Sequence, residues 1–301
     1  MIAYDESDLS RAAAAAIRAP SMHNSQPWLF RLADGAIEVL ADPQRRLTVA
    51  DRSGWAARLA CGAATYNARL ALAVAGRPAE VQLRPDPVQP DLIARLRPGR
   101  VRPPTSAEQD LYAAIPRRRS NRLPFWPDPV PADVRVRLLD AARSEHAWLD
   151  LLVGMTALTG FAEIARSADR VLRRDPNYQS ELTAWSGADS APDGIPSFVA
   201  APVAEPQDLL PQRAFADRPF DQVLAGQALQ KVLLTATDAG LAVSLISQPI
   251  EVPAARDQLR RSLGRSGFPQ LALRMGYGRP APATGRRDLS EVLLQPVAPV
   301  R

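Results

Sequence analysis

Apolar and polar positions in this chain fall into blocks whose period shifts between helix and strand. Residues 8–18 are apolar on a helical period around five consecutive alanines, with Ser7 or Asp8 placed as N-cap. Trp28-Leu-Phe-Arg-Leu32 has the composition of a strand. Between them lie ten residues, A-P-S-M-H-N-S-Q-P-W at 19–28, where an ordinary connection of this kind takes about two to six. Two prolines bracket a run of hydrogen-bonding side chains, so the segment is predicted to be extended and committed to something other than joining two elements. Further along, helices are predicted over 133–144 and 253–263, and a strand over 269–278 that runs into a glycine turn.

Two blocks repeat. Residues 62–76 and 226–240 have the same length, open and close on glycine, and carry a small-residue face at helical spacing. Each is followed by a β-rich segment, 79–84 and 241–246. Upstream, the helix over 133–144 leads into Glu145-His-Ala-Trp148-Leu149, an echo of Trp28-Leu29 with the long loop shortened. The stretch from that Trp-Leu to the repeated helix is roughly 44 residues longer in the second copy, an excess that covers the proline- and aspartate-rich run near 186–219. The pattern predicts an α+β chain of two pseudo-symmetric halves, each with an antiparallel-rich sheet flanked by helices. The first would occupy 1–103 and the second 104–301, with an insertion at about 175–220. Alanine-rich helices also resemble one another by chance, and the residues alone leave both readings open.

The bulk properties remove several classes of function. Hydrophobic residues make up 46% and charged residues 23%, as in a soluble globular protein. The net charge of +5 comes almost wholly from arginine, Lys231 being the sole lysine, and the arginines are interspersed with acids rather than gathered into a tail. Solvated charged faces explain that pattern, and no nucleic-acid partner is expected. One cysteine, Cys61, and two histidines, His23 and His146, supply neither a disulfide nor a metal cluster, and no metal is expected. No run approaches the ~20 apolar residues that span a bilayer, and the N-terminal alanines are too few for a signal-peptide core. The expectation is a cytoplasmic protein with no membrane contact.

Chemistry concentrates in a few places. Arg117-Arg118-Arg119-Ser120-Asn121-Arg122 sets four arginines and a serine after a short helix. The planar guanidinium fork suits phosphate, although such a run standing alone is more simply a solvated basic turn. Near the C-terminus, Gly276-Tyr277-Gly278 is followed by Gly285-Arg286-Arg287, a strand delivering an arginine pair after a flexible turn. The two segments together could close on a phosphate. Ser247-Gln-Pro-Ile-Glu251 follows the second repeat's strand and could equally be the start of the helix beyond it.

These segments resemble the nitroreductase family of FMN-dependent oxidoreductases. The resemblance rests on A-P-S-x-x-N-x-Q-P-W at 19–28, R-R-S-x-R at 118–122, and Gly276-Tyr277 with Arg286-Arg287, and it extends over most of the chain. Their order, with the arginine segment in the second half, is similar to the Acg branch, in which one chain contains two halves imitating the usual homodimer. The resemblance implies one FMN per chain in a monomer that is its own pseudo-dimer, with or without further dimerisation. Pro20, Ser21, Met22, Asn24 and Gln26 would border the ring and ribityl chain. Arg118, Ser120 and Arg122 would meet the phosphate or the polar edge of the ring, with Arg286 completing the clamp and Arg119 a lesser member. Pro249, Ile250 and Glu251 would lay their backbone near flavin N5, though Val252 stands where many relatives have glycine. The insertion would be a lid, or else an ordinary surface excursion. The implied activity is hydride transfer from NAD(P)H through FMN to a nitroaromatic, quinone or flavin, the cofactor carrying the chemistry. The alternative is an FMN-sequestering protein whose lid blocks turnover. No acid, base or nucleophile stands out as catalytic.

Overall fold

The structure is a computed structural model; it describes residues 3–186, 192–195, 209–212 and 217–295. Helix α1 (Glu6–Ala16) leads through the 19–28 segment to strands β1 (Trp28–Ala33) and β2 (Ala36–Ala41). Then come helix α2 (Trp55–Val74) and strands β3 (Ala79–Leu83) and β4 (Leu92–Pro98). Helices α3 (Ser106–Ala114), α4 (Ala132–Arg143), α5 (Met155–Arg174) and α6 (Pro176–Ala184) precede the short strand β5 (Leu209–Gln212). Helix α7 (Pro219–Asp238), β6 (Ala242–Ile246), α8 (Gln248–Glu251), α9 (Pro253–Ser262), β7 (Leu271–Gly276) and α10 (Leu289–Val292) complete the chain.

The strands form two antiparallel sheets, ordered β1-β2-β4-β3 and β5-β7-β6, so the fold is α+β as the sequence predicts. In both sheets the two strands that follow a central twenty-residue helix pair with each other, and the second of them also pairs with the strand that precedes that helix. The echo expected at Trp148-Leu149 is not a strand; Leu149 makes only an isolated bridge.

Helices α2 and α7 pack face to face at the centre, and glycine sets how closely. A Cβ on Gly62 would sit 2.1 Å from the Val223 carbonyl oxygen, and one on Gly226 would sit 2.0 Å from that of Leu59. Both glycines lie mid-helix, seven residues past the first helical residue, rather than opening the helix as the sequence reading placed them. The apolar period alone hides the earlier starts, at Trp55 and Pro219. The glycines at the other ends do what was expected: Gly76 and Gly240 take φ of +77° and +74° just past each helix. There Arg77 N–H donates to Leu72 O and Leu241 N–H to Ala236 O, closing the last turn.

Because the backbones touch, each core borrows from the other side. The core around β1, β2, β4, α1 and α2 includes Val223 of α7 and Val292 of α10. The core around α4, α5, α7, β6 and β7 includes Trp55, Ala56 and Leu59 of α2. The C-terminal tail returns to the first sheet, where Leu294 N–H donates to Phe30 O beside a parallel bridge between Phe30 and Leu293. Helix α1 starts at Glu6, capped by the Asp5 carboxylate, which accepts from Ser7 N and Asp8 N while Asp8 accepts from Asp5 N. The cap therefore falls two or three residues before the expected Ser7 or Asp8. Part of the expected insertion, at 187–191, 196–208 and 213–216, lies outside the described residues.

Two substitutions test the crossing. Gly226→Ala must push backbone from backbone, and a loss of about 1–3 kcal/mol in urea denaturation is expected. Gly160→Ala in α5, where an added Cβ meets nothing within 4 Å, should gain up to about 1 kcal/mol from helix propensity.

Candidate functional site

The crossing carries the 19–28 segment over to the arginine segment. Asn121 N–H donates to Val243 O of β6, and Ser120 bridges to the same residue, so the arginines run along the edge of the second sheet. Downstream, Phe125 packs on Gly276 and Gly278, where a side chain would come within 3.2 Å of its ring. Asn121 Nδ2 donates to Arg279 O at 2.6 Å. Arg118 and the 276–287 stretch are thereby held as one wall, and the 19–28 segment forms the facing one.

That segment is strained. His23, Asn24 and Gln26 all have left-handed φ, at 50°, 54° and 51°, a conformation that non-glycine residues adopt at a cost and that clusters at binding sites. Local bonds hold it. Ser21 Oγ accepts from Gln26 N–H at 2.9 Å, and Gln26 Oε1 accepts from Arg287 N–H at 2.9 Å. Asn24 Oδ1 accepts from Arg286 Nη1 at 3.1 Å.

Between the walls lies a cavity of about 300 Å³. Of the residues singled out from sequence, Pro20, Ser21, Met22, Asn24, Arg118, Ser120, Arg122 and Arg286 line it. Five do not. Gln26 is fully buried, and its amide nitrogen donates to Pro192 O at 2.7 Å, so it braces the loop from behind. Arg119 turns back to Pro116 O and Arg118 O. Pro249, Ile250 and Glu251 form the short helix α8, whose packing into the second core draws Ile250 off the wall. Sequence reasoning passed over Ser247 and Gln248, which do line the cavity, as well as Leu229 and Leu245 and the α6 residues Tyr178, Gln179 and Leu182. Ser247 and Gln248 are adjacent to the P-I-E run; the α6 residues fall within the 175–220 segment expected as a lid or surface excursion, though no motif singles them out.

Among the described residues, no acid is among the charges acting on Arg118 and Arg286, although Asp169 also lines the cavity. Arg118 is 4% exposed, and among the described residues its Nε and Nη1 have no hydrogen-bond partner, while Nη2 donates to Arg18 O at 3.3 Å. Burial, with Arg119 adding to it, pushes its pKa down to about 10. Arg286 is pushed down to about 9 by burial and by the like charges of Arg118, Arg18 and Arg119, and its Nε is also unpartnered. A guanidinium stays charged at neutral pH even so, so the ligand-free fold bears this cost. An anion with several oxygens would relieve it. His23 completes the wall with a buried, unpartnered Nε2. Burial, with Arg122 adding to it and Glu181 opposing, lowers its pKa to about 4, and the imidazole is neutral.

The other side of the cavity is fastened down. The Glu181 carboxylate of α6 accepts from the backbone N–H groups of Thr48, Val49 and Ala50 at 2.6, 3.0 and 2.7 Å. Arg45 donates to Ser25 O, pairs with Asp193 and lies over the Trp185 ring. Residues 178–195, where described, are thus tied to the first half across the cavity.

A strained A-P-S loop and the pair Arg118 and Arg286, brought together by two crossed helices, make this cavity the candidate site. The Nitroreductase family model matches residues 115–277. Relatives include a candidate NAD(P)H nitroreductase of Mycobacterium tuberculosis, Rv3131, 34% identical over 93% of this chain and 89% of its own length. Another from the same organism, acg, is 31% identical over 92% of each. Among solved structures, the FMN- and NADPH-dependent nitroreductase NfnB of Sphigopyxis sp. strain HMH aligns at 16% identity and TM-score 0.45, over 64% of this chain and 99% of that one. The chain belongs to the nitroreductase family.

Two outcomes follow from the electrostatics. Arg118→Met should leave the ligand-free protein at least as stable, by thermal denaturation, because a buried unpaired charge becomes an apolar chain. It should also abolish the rise in melting temperature that inorganic phosphate gives the parent. His23 has a folded pKa below its unfolded value of 6.5. Its neutral form therefore favours the fold, and that contribution is lost as pH falls from 6.5 to about 4. Over this window the parent should lose about 3 kcal/mol that His23→Gln does not.

Proposed function

We propose that the protein is an oxidoreductase that holds one FMN per chain and passes reducing equivalents from NAD(P)H to a nitroaromatic, quinone or flavin acceptor. The observation that carries this is the pair of the buried Arg118 and the half-buried Arg286, whose sealed, unpartnered nitrogens share the cavity with the A-P-S loop. The residues fit FMN. Two guanidinium groups and the Ser120 hydroxyl suit its phosphate, Asn24 and Ser21 its ribityl hydroxyls, and Pro20, Met22, Leu229 and Leu245 offer apolar surface for a flat ring. Arg122, whose pKa is lowered by burial, supplies a second cation for the polar edge. When bound, FMN would supply the hydride chemistry; the chain's own residues anchor the phosphate, orient the ring and exclude water through α6. The chain would act as an internal pseudo-dimer, one half giving the loop and the other the arginines, a reading supported by the matched strand order of the two sheets. A cytoplasmic location is part of the same reading; no described helix is long and apolar enough to cross a membrane.

A second reading, sequestration of FMN, is favoured by one feature. Tyr178, Gln179 and Leu182 wall the cavity from α6, and Glu181 holds that helix on three backbone N–H groups.

Flavin quantitation and anaerobic mixing separate the two readings. The purified protein should be yellow with one FMN per polypeptide, and NADH or NADPH should bleach it until a quinone restores the colour. FMN that is tightly bound yet stays oxidised under saturating nicotinamide means sequestration, and a colourless protein that refuses FMN defeats both readings.

A further inference from the structure

One buried acid beside the cavity has no part in the function proposed above. Glu251 closes α8 with both carboxyl oxygens sealed from solvent. The hydroxyls of Ser247 and Tyr178 are near enough to act on it, without locking it in a well-formed hydrogen bond. Both of those residues line the cavity, Ser247 from the loop after β6 and Tyr178 from α6. The charged groups acting on Glu251 are the carboxylates of Asp51 and Glu181, and those acting on Tyr178 include Asp169 and Glu181. All are negative. Burial, reinforced by Asp51 and Glu181 and opposed by the two hydroxyls, raises the Glu251 carboxyl above its ordinary range, which favours its protonated form.

Reduction of a quinone by NAD(P)H consumes a proton as well as a hydride: quinone, NAD(P)H and H⁺ become hydroquinone and NAD(P)⁺. A donor fixed in the cavity wall delivers that proton in step with the hydride, which a freely exchanging water does less efficiently. We infer that Glu251 is the proton reservoir for the electron acceptor, feeding it through the Tyr178 hydroxyl. The Tyr178 O–H bond breaks as its proton passes to the acceptor oxygen, a new O–H bond forms with the proton from Glu251, and the carboxylate left behind is reprotonated from solvent after product leaves. No net charge accumulates on tyrosine. Tyr178 is the catalytic residue in this scheme and Glu251 acts through it. The inference rests on the oxidoreductase reading.

The ligand-free protein tests the reservoir first. At neutral pH its infrared spectrum should contain a carboxylic-acid carbonyl band that shifts in D₂O, is missing from Glu251→Gln and persists in Glu181→Gln. The FMN-loaded protein, photoreduced so that nicotinamide is not needed, is then mixed with a quinone. Flavin reoxidation in Glu251→Gln and Tyr178→Phe should be slower by about 10²-fold, the lower range for general acid catalysis. The parent rate should fall as pH rises through the Glu251 pKa, and Glu251→Gln should lose that dependence. Glu251→Gln preserves shape and removes only the proton, and an unchanged melting temperature will show that it folds. A missing infrared band, or quinone reoxidation as fast in both variants as in the parent, overturns the inference while leaving the FMN reading intact. Failure to bind FMN defeats the reading beneath it instead.

Discussion

Contact between two helix backbones decides what this molecule can be. Where α2 crosses α7, Gly62 and Gly226 leave no space for even a methyl group, so the helices meet at the shortest approach available to them. That approach puts Trp55, Ala56 and Leu59 into the core of the second sheet and Val223 into the core of the first. The cavity opens between the partners so joined, with Leu59 and Ala60 on one side and Leu229 on the other. A wider separation would leave the A-P-S loop and the arginine segment on different surfaces.

Having met, the walls store unfavourable energy in two forms. Three consecutive or near-consecutive residues of the loop sit in a backbone region they would not choose, and the buried Arg118 and half-buried Arg286 lie among further arginines. Neither stabilises the fold. The loop is braced by Gln26, Arg287 and Asn24, and the arginine segment by β6, so the surrounding structure over-determines both. Groups kept in place this way are already ordered, which lowers the cost of binding any ligand they fit.

Helix α6 forms a further wall of the cavity. Helix α6 presents Tyr178, Gln179 and Leu182 inward while Glu181 docks on the 48–50 backbone. Beside that helix, the carboxylates of Asp51 and Glu181 add to the burial that raises the Glu251 carboxyl. The same enclosure favours retention of a ligand, so turnover and sequestration make use of the same contacts.

Much was legible in the residues. The loop at 19–28 announced itself by excess length and by its prolines, and Arg118, Ser120, Arg122 and Arg286 by their density of donors; all reach the cavity because short, local chemistry fixed their conformations and their need for an anion. Periodicity gave the central helices and the strands after them, and Gly76 and Gly240 gave the helix ends. Other features had no local signature. Gly62 and Gly226 look like helix boundaries until a second helix lies against them, and Gln26 looks like a ligand-facing amide until Arg287 and Pro192 occupy it. Helix α8 packs into a core that takes Ile250 away from the wall, and α6 reaches the cavity only through a carboxylate that meets backbone more than a hundred residues earlier. Sequence determined which groups wanted a partner, because that depends on each residue's own chemistry; tertiary structure decided which of them found one within the protein, because that depends on distances set by the helix crossing.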